Sequence, residues 1–168
     1  AARGGSRSHD LFEKIISPSN LFSAWREFKR GKIKKQDVLE MTDNLEDNIF
    51  SLHQDLSDGT YRHGPYQSFF LHDPKKRHIH KASTRDRLLH HAIHRVIEPI
   101  FEPTFIYDSY ASRDNKGLYR ALKRFKQMAW RLSRNDTKTV WVLKCDIQKF
   151  FDSINHSILL GLLRERSR

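Results

Sequence analysis

Cysteine is nearly absent. Cys145 stands alone, which excludes an internal disulfide and fits a reducing compartment such as the cytoplasm. No base is paired with it in sequence, so it is read as a side chain facing the core and not as a nucleophile. Long hydrophobic runs are missing as well: nothing approaches the roughly 20 apolar residues that a membrane-spanning helix needs, and no membrane is expected among the partners. Ala1–Ser8 (AARGGSRS) holds no apolar segment and does not read as a signal peptide. It reads as the start of a flexible basic stretch over residues 1–16, with at most a short helical turn from Asp10 to Ile16. Acidic residues are in deficit, with 20 Asp and Glu against 31 Lys and Arg, a net charge of +11 and a pI of about 10.0. With aromatics at 11% of the chain, that balance favours a polyanionic partner, nucleic acid first. A membrane surface would attract the same charge, but the basic residues are spread through folded-looking segments and do not flank an anchor.

What is present reads mostly as helix. Ser17-Pro18-Ser19 can cap a helix from about Asn20 to Lys29, ended by Gly31. Val38, Met41, Leu45, Ile49, Leu52 and Leu56 recur at alternating steps of three and four, which predicts one amphipathic helix from Lys35 to Leu56, stopped by Asp58-Gly59. It is expected to pack against its own domain. Tyr66–Leu71, a turn at Asp73-Pro74-Lys75-Lys76 and Arg77–Lys81 predict a hairpin. Ser83 and Asp86 form a capping pair for a helix from Thr84 to Glu98, ended by Pro99. His90 and His94 lie one turn apart on it, beside His91. Without a third ligand at a recognisable spacing they read as polar surface groups and not as a zinc site.

Arg77, Lys81, Arg85 and Arg87 fall within eleven residues. They could grip a triphosphate, because guanidinium forks and ammonium groups suit phosphate oxygens; equally, they could form a solvated edge with surface ion pairs. Phe101–Tyr110 is an aromatic connection into Ser109–Gly117 (SYASRDNKG), and a helix from Leu118 to Arg134 follows. Its apolar side is Leu118, Leu122, Phe125, Ala129 and Leu132. Arg120, Arg124, Gln127, Arg131 and Arg134 make the opposite side, a solvated face or a nucleic-acid track. Thr139–Ile147 is rich in β-branched and aromatic residues and predicts an interior strand. Asp146 closes it. A carboxylate at a strand tip is suited to a hard divalent cation such as Mg²⁺, which takes oxygen ligands and leaves room for phosphates. Asn155 then caps a short helix with Ile158, Leu159, Leu162 and Leu163 on its buried side.

KCDIQKFFDSINHSILL, Lys144–Leu160, resembles the first catalytic motif of reverse transcriptases. Arg77–Ala121 resembles the fingers motifs of that family, and RDRLLHHAIHRVIEPIFE and FIYDSYASRDNKG look most like bacterial enzymes of diversity-generating retroelements, with retron and group II intron enzymes as relatives. The resemblance implies an α+β fold comprising the fingers and first palm strand of a right-hand polymerase. A helical extension at 17–60 would precede fingers at 61–138 and the start of the palm at 139–168. It implies RNA-directed DNA synthesis with two Mg²⁺ ions, an RNA template, a DNA primer and deoxynucleoside triphosphates, and leaves room for an accessory protein. By the same resemblance Asp146 is catalytic and a metal ligand, the Ile147 carbonyl adds a ligand oxygen, and Phe151 lies under the sugar and excludes a 2′-hydroxyl. Lys81 and Arg87 would bind the incoming nucleotide, and Tyr110, Arg113 and Lys116 the template, by stacking and phosphate contacts. One of Phe150 and Phe151 is expected in the core. The family's aromatic-x-Asp-Asp turn is absent, and no Asp-Asp pair occurs. The expectation is therefore an N-terminal part of a polymerase that is inactive alone. A non-catalytic RNA-binding derivative and an RNA-templated RNA polymerase are the alternatives.

Overall fold

Pro18 and Ser17 start the helix on which the core is built. The computed structural model describes residues 4–74 and 76–166, with side chains from Asp10 onward. Its α+β content is seven α-helices and one two-stranded antiparallel sheet among those residues. They divide into two compact units, the first built on the described residues up to Phe101 with residues 164–166, the second spanning Glu102–Leu163.

In the first unit, α1 covers Gly4–Ile16 and α2 Pro18–Phe28. The expected flexible stretch over residues 1–16 is thus helical from Gly4, while Ala1–Arg3 lie outside the described residues. Its C-terminal end is docked: Ile16 is buried, Ile15 packs against the core, and the Ile16 carbonyl meets His53 Nδ1 at 2.9 Å. At the start of α2 the Ser17 hydroxyl accepts the Asn20 backbone N–H at 3.3 Å, and Pro18 occupies the first turn, where no N–H is needed. Leu21, Ala24, Trp25 and Phe28 form its buried face, set against α5 (Thr84–Phe101) through Leu88, Leu89 and Ala92.

The single helix expected from Lys35 to Leu56 is two, α3 (Gln36–Asp43) and α4 (Leu45–Ser57). Asn44 leaves helical geometry at φ −126°, ψ 47°, and the Asn48 side chain donates to the freed Met41 carbonyl at 3.2 Å. Apolar spacing continues across the break because both pieces bury the same stripe: Val38 and Met41 from α3, Ile49 and Leu52 from α4. Gly59, at φ +68°, reverses the chain after α4 as expected. Ile49 is completely buried among these residues, so Ile49→Ala is expected to destabilise the unit by about 2–5 kcal/mol in urea unfolding.

β1 (Gln67–His72) and β2 (Lys76–Lys81) form the expected hairpin, with Gln67 opposite Lys81 and Phe69 opposite Ile79; Lys75 in its turn lies outside the described residues. α5 does not stop at Pro99. It carries the proline in its last turn and ends at Phe101.

The second unit contains α6 (Gly117–Leu132) and, up to Leu163, α7 (His156–Arg166). Thr139–Ile147 forms no strand, contrary to expectation, and Trp141 is 92% and Leu143 88% exposed. A strand reads as interior only when neighbours cover both faces, and the two described strands pair only with each other. Cys145 is likewise exposed, not in a core. Asn155 caps α7 as expected, its Oδ1 accepting the Ser157 and Ile158 N–H groups at 3.0 and 3.2 Å. The apolar residues expected to be buried on α6 and α7 are nevertheless open: Leu118, Leu122, Phe125, Leu132, Ile158, Leu159 and Leu162 are all exposed.

Candidate nucleic-acid interface

Asp86, one turn into α5, is 1% exposed and organises the junction between hairpin and helix. Its Oδ1 accepts Tyr61 Oη at 2.6 Å; its Oδ2 accepts Ser83 Oγ at 2.6 Å and the Gly64 N–H at 3.2 Å. Its own N–H donates back to Ser83 Oγ at 3.1 Å, which is the predicted capping pair. Gly64 lets this approach be close: a Cβ there would lie 3.1 Å from Asp86 Oδ2, and the carboxylate would have to give by a few tenths of an ångström. Burial pushes the Asp86 carboxyl up, but the Ser83 and Tyr61 hydroxyls, His63 and the Gly64 amide outweigh it and hold it below its ordinary value. Burial and the hydrogen bond to Asp86 raise the Tyr61 phenol.

Around this junction the basic residues are paired. Lys81 Nζ and Arg87 Nη2 each lie 2.6 Å from Asp37 Oδ2 on α3, and Arg85 Nη2 lies 2.6 Å from Asp55 Oδ2 on α4. The hydrogen bond from Lys81, reinforced by Arg87, lowers the Asp37 carboxyl despite its partial burial. The structure therefore brings the two nucleotide-binding candidates to one point, on a carboxylate that sequence reasoning missed. The signal was faint: Asp37 opens an apolar-periodic helix and reads as an ordinary first-turn acid.

In the second unit Tyr110, Arg113 and Lys116 share one loop with different duties. Arg113 grips Glu102 through Nε and Nη2, at 2.7–3.1 Å, while its Nη1 donates to the carbonyls of Ile106 and Ser109 at 3.1 and 2.9 Å. Only 10% of its side chain is exposed, so its position is that of a loop brace. Arg113→Ala is expected to speed amide hydrogen exchange at Ser109 and Gly117, whose N–H groups close turns in this loop. Lys116 sits 3.9 Å from the Tyr107 ring centroid and 5.1 Å from that of Tyr110. Tyr110 donates to Asp108 at 2.9 Å, and Arg124 holds Asp108 from α6 at 3.1 Å. Asp108 is lowered by Arg124 and then by Tyr110. Tyr107, Tyr110, Lys116, Arg120, Lys123, Arg124 and Gln127 line an open cleft of about 330 Å³. Ammonium, guanidinium and aromatic faces in one cleft suit a polyanion with planar bases. Tyr107 was missed by sequence reasoning, although Tyr107 and Tyr110 precede Lys116 at short spacing.

Asp146 lies on the exposed segment before η2 (Phe151–Ser153), its Oδ1 accepting the Ile147 N–H at 3.0 Å. Phe150 and Phe151 contact edge to face at 5.2 Å; both are exposed, at 49% and 82%, so neither is in a core. An exposed carboxylate is oxygen chemistry that fits Mg²⁺. Among the described residues, however, no group of three or more His, Cys, Asp or Glu could hold a metal ion, so Asp146 could supply part of such a site only. No helix here is long and apolar enough to cross a membrane.

Fold and surface together define a basic α+β chain with two cation clusters, one of them interleaved with aromatics. No family model matches it. It is 26% identical over 159 residues to the group II intron-encoded protein LtrA of Lactococcus lactis subsp. cremoris, across 91% of this chain and 25% of that protein. It is also 26% identical over 117 residues to protein YkfC of Escherichia coli, covering 68% of this chain and 30% of that protein. An uncharacterized 91 kDa protein in the cob intron of Schizosaccharomyces pombe is 31% identical over 91 residues, 54% of this chain and 10% of that protein. The chain thus spans a quarter of LtrA's length.

Proposed function

We propose that this chain is the fingers and first palm segment of a bacterial RNA-directed DNA polymerase. The observation that carries the reading is similarity to a group II intron-encoded protein along 91% of the chain, through both the basic clusters and the Asp146 motif. The relatives favour a group II intron origin over the diversity-generating retroelement that the motifs suggest.

In this reading Lys81 and Arg87 turn to the triphosphate of the incoming nucleotide, and Tyr110 and Lys116, with Tyr107 and Arg120, follow the template. Asp146 and the Ile147 carbonyl would hold Mg²⁺ together with carboxylates from further chain. When bound, the metal activates the primer hydroxyl and neutralises the leaving pyrophosphate. Phe151 presents an open ring on which a sugar can rest, and a 2′-hydroxyl would collide with it.

The test is RNA-templated primer extension by the complete protein. Complementary DNA is the expected product; RNA binding without synthesis would favour the non-catalytic reading. Phe151→Ala is expected to raise ribonucleotide use relative to deoxynucleotide use by at least about tenfold, roughly 1.4 kcal/mol of discrimination. Unchanged sugar choice would favour the RNA-polymerase alternative.

A further inference from the structure

The hairpin face that does not carry Lys81 holds a run of rings. Side chains alternate along a strand, so Phe70, His78 and His80 share one face while Gln67 and Lys81 share the other. Phe70 stacks on His78 at 4.6 Å, and His78 meets His80 at 4.3 Å. The run continues through Tyr66, 6.5 Å from His80, to His63 at 4.9 Å from Tyr66, and on to His90 of α5, stacked on His63 at 5.5 Å. These rings do not form a core: Phe70 is 54% and Tyr66 57% exposed, and the four histidines are exposed too.

Charge favours an anionic occupant. Lys76 Nζ lies 4.4 Å from the Phe70 ring centroid, the chain carries a net +11, and Asp86, whose carboxylate lies 3.9 Å from His63, is buried and already hydrogen-bonded. Rings at 4–7 Å spacing, edged by cations and open to water, are how proteins hold unpaired bases, because every base offers a π-face. We propose that this ring series is a stacking platform for the bases of single-stranded RNA, separate from the Lys81–Arg87 cluster. The platform rests on the rings and the charge; only the choice of RNA over DNA rests on the polymerase reading.

The experiment measures fluorescence anisotropy of a labelled 12-nucleotide single-stranded RNA, and of its DNA counterpart, with the complete protein at fixed salt. Phe70→Ala combined with His78→Ala is expected to weaken RNA binding at least about fivefold while the slope of affinity against salt stays unchanged, since phosphate contacts remain. His78→Phe and His80→Phe, which keep a ring without an imidazole, should retain affinity within about twofold. Unchanged RNA affinity in the alanine variant, with its melting transition intact, would overturn the platform. So would a loss in the phenylalanine variants equal to that in alanine, and so would lost self-association in sedimentation with RNA binding untouched. A loss confined to DNA would overturn the assignment to RNA. The assay requires no catalysis, so failure of the polymerase reading in primer extension leaves it standing.

Discussion

Asp146→Asn is expected to lower RNA-templated DNA synthesis by the complete protein at least about a hundredfold, roughly 2.7 kcal/mol of transition-state stabilisation, without weakening RNA binding. Asparagine keeps the size and one oxygen of the side chain but removes the charge that would hold a divalent cation. In the folded chain this carboxylate serves no buried network; its hydrogen bond is to the neighbouring Ile147 N–H. A structural collapse therefore does not accompany the substitution, and the loss reports on chemistry. Single-turnover primer extension beside RNA anisotropy separates the two quantities. Activity retained at the wild-type level would remove Asp146 from the reaction and with it the central residue of the proposal.

Asp86→Ala should lower stability by about 3 kcal/mol in urea unfolding at neutral pH. It removes the acceptor shared by the Tyr61 hydroxyl, the Ser83 hydroxyl and the Gly64 amide, and leaves a gap at a position 1% exposed. Tyr61→Phe removes only one of these bonds and should cost about 1 kcal/mol, and the double variant less than the sum, because the two share a partner. Acid should act in the same direction. The carboxyls of Asp86 and Asp37 are depressed in the folded state, so the stability they contribute is fully present above their unfolded value, near 3.9. It is lost as pH falls through the lower folded values. Asp86→Ala should therefore flatten the decline in stability below about pH 4; an unchanged acid slope would remove Asp86 as its source.

Sequence patterns were informative where local chemistry decides structure. Ser17-Pro18, the hairpin, the Ser83–Asp86 pair and the Asn155 cap are each fixed by neighbours within a few residues, and each is found where those residues place it. Patterns misled where the decision is made at a distance. A stripe of apolar residues is the same for one helix or for two that bury a common face, so the break at Asn44 was invisible. Thr139–Ile147 has the composition of a covered strand, but composition cannot supply the neighbours that a ladder needs. Arg113 shows the same limit in the candidate site: the resemblance marks it as a template contact, but nothing in the sequence announced that its guanidinium holds Glu102 and two carbonyls. Pairing with a residue eleven positions away leaves no periodic trace.

Asp37 places one oxygen between Lys81 and Arg87, where the proposed nucleotide role would put a phosphate. Any anion that is to use these cations must first displace a tethered competitor whose local concentration never falls. Singly charged ions such as chloride or acetate replace one negative charge with another and gain little from the exchange. A triphosphate brings several charges and many acceptor oxygens, and can win. In the proposed role the carboxylate would thus set an entry threshold, keeping the pair silent toward small singly charged anions and responsive to densely charged ones.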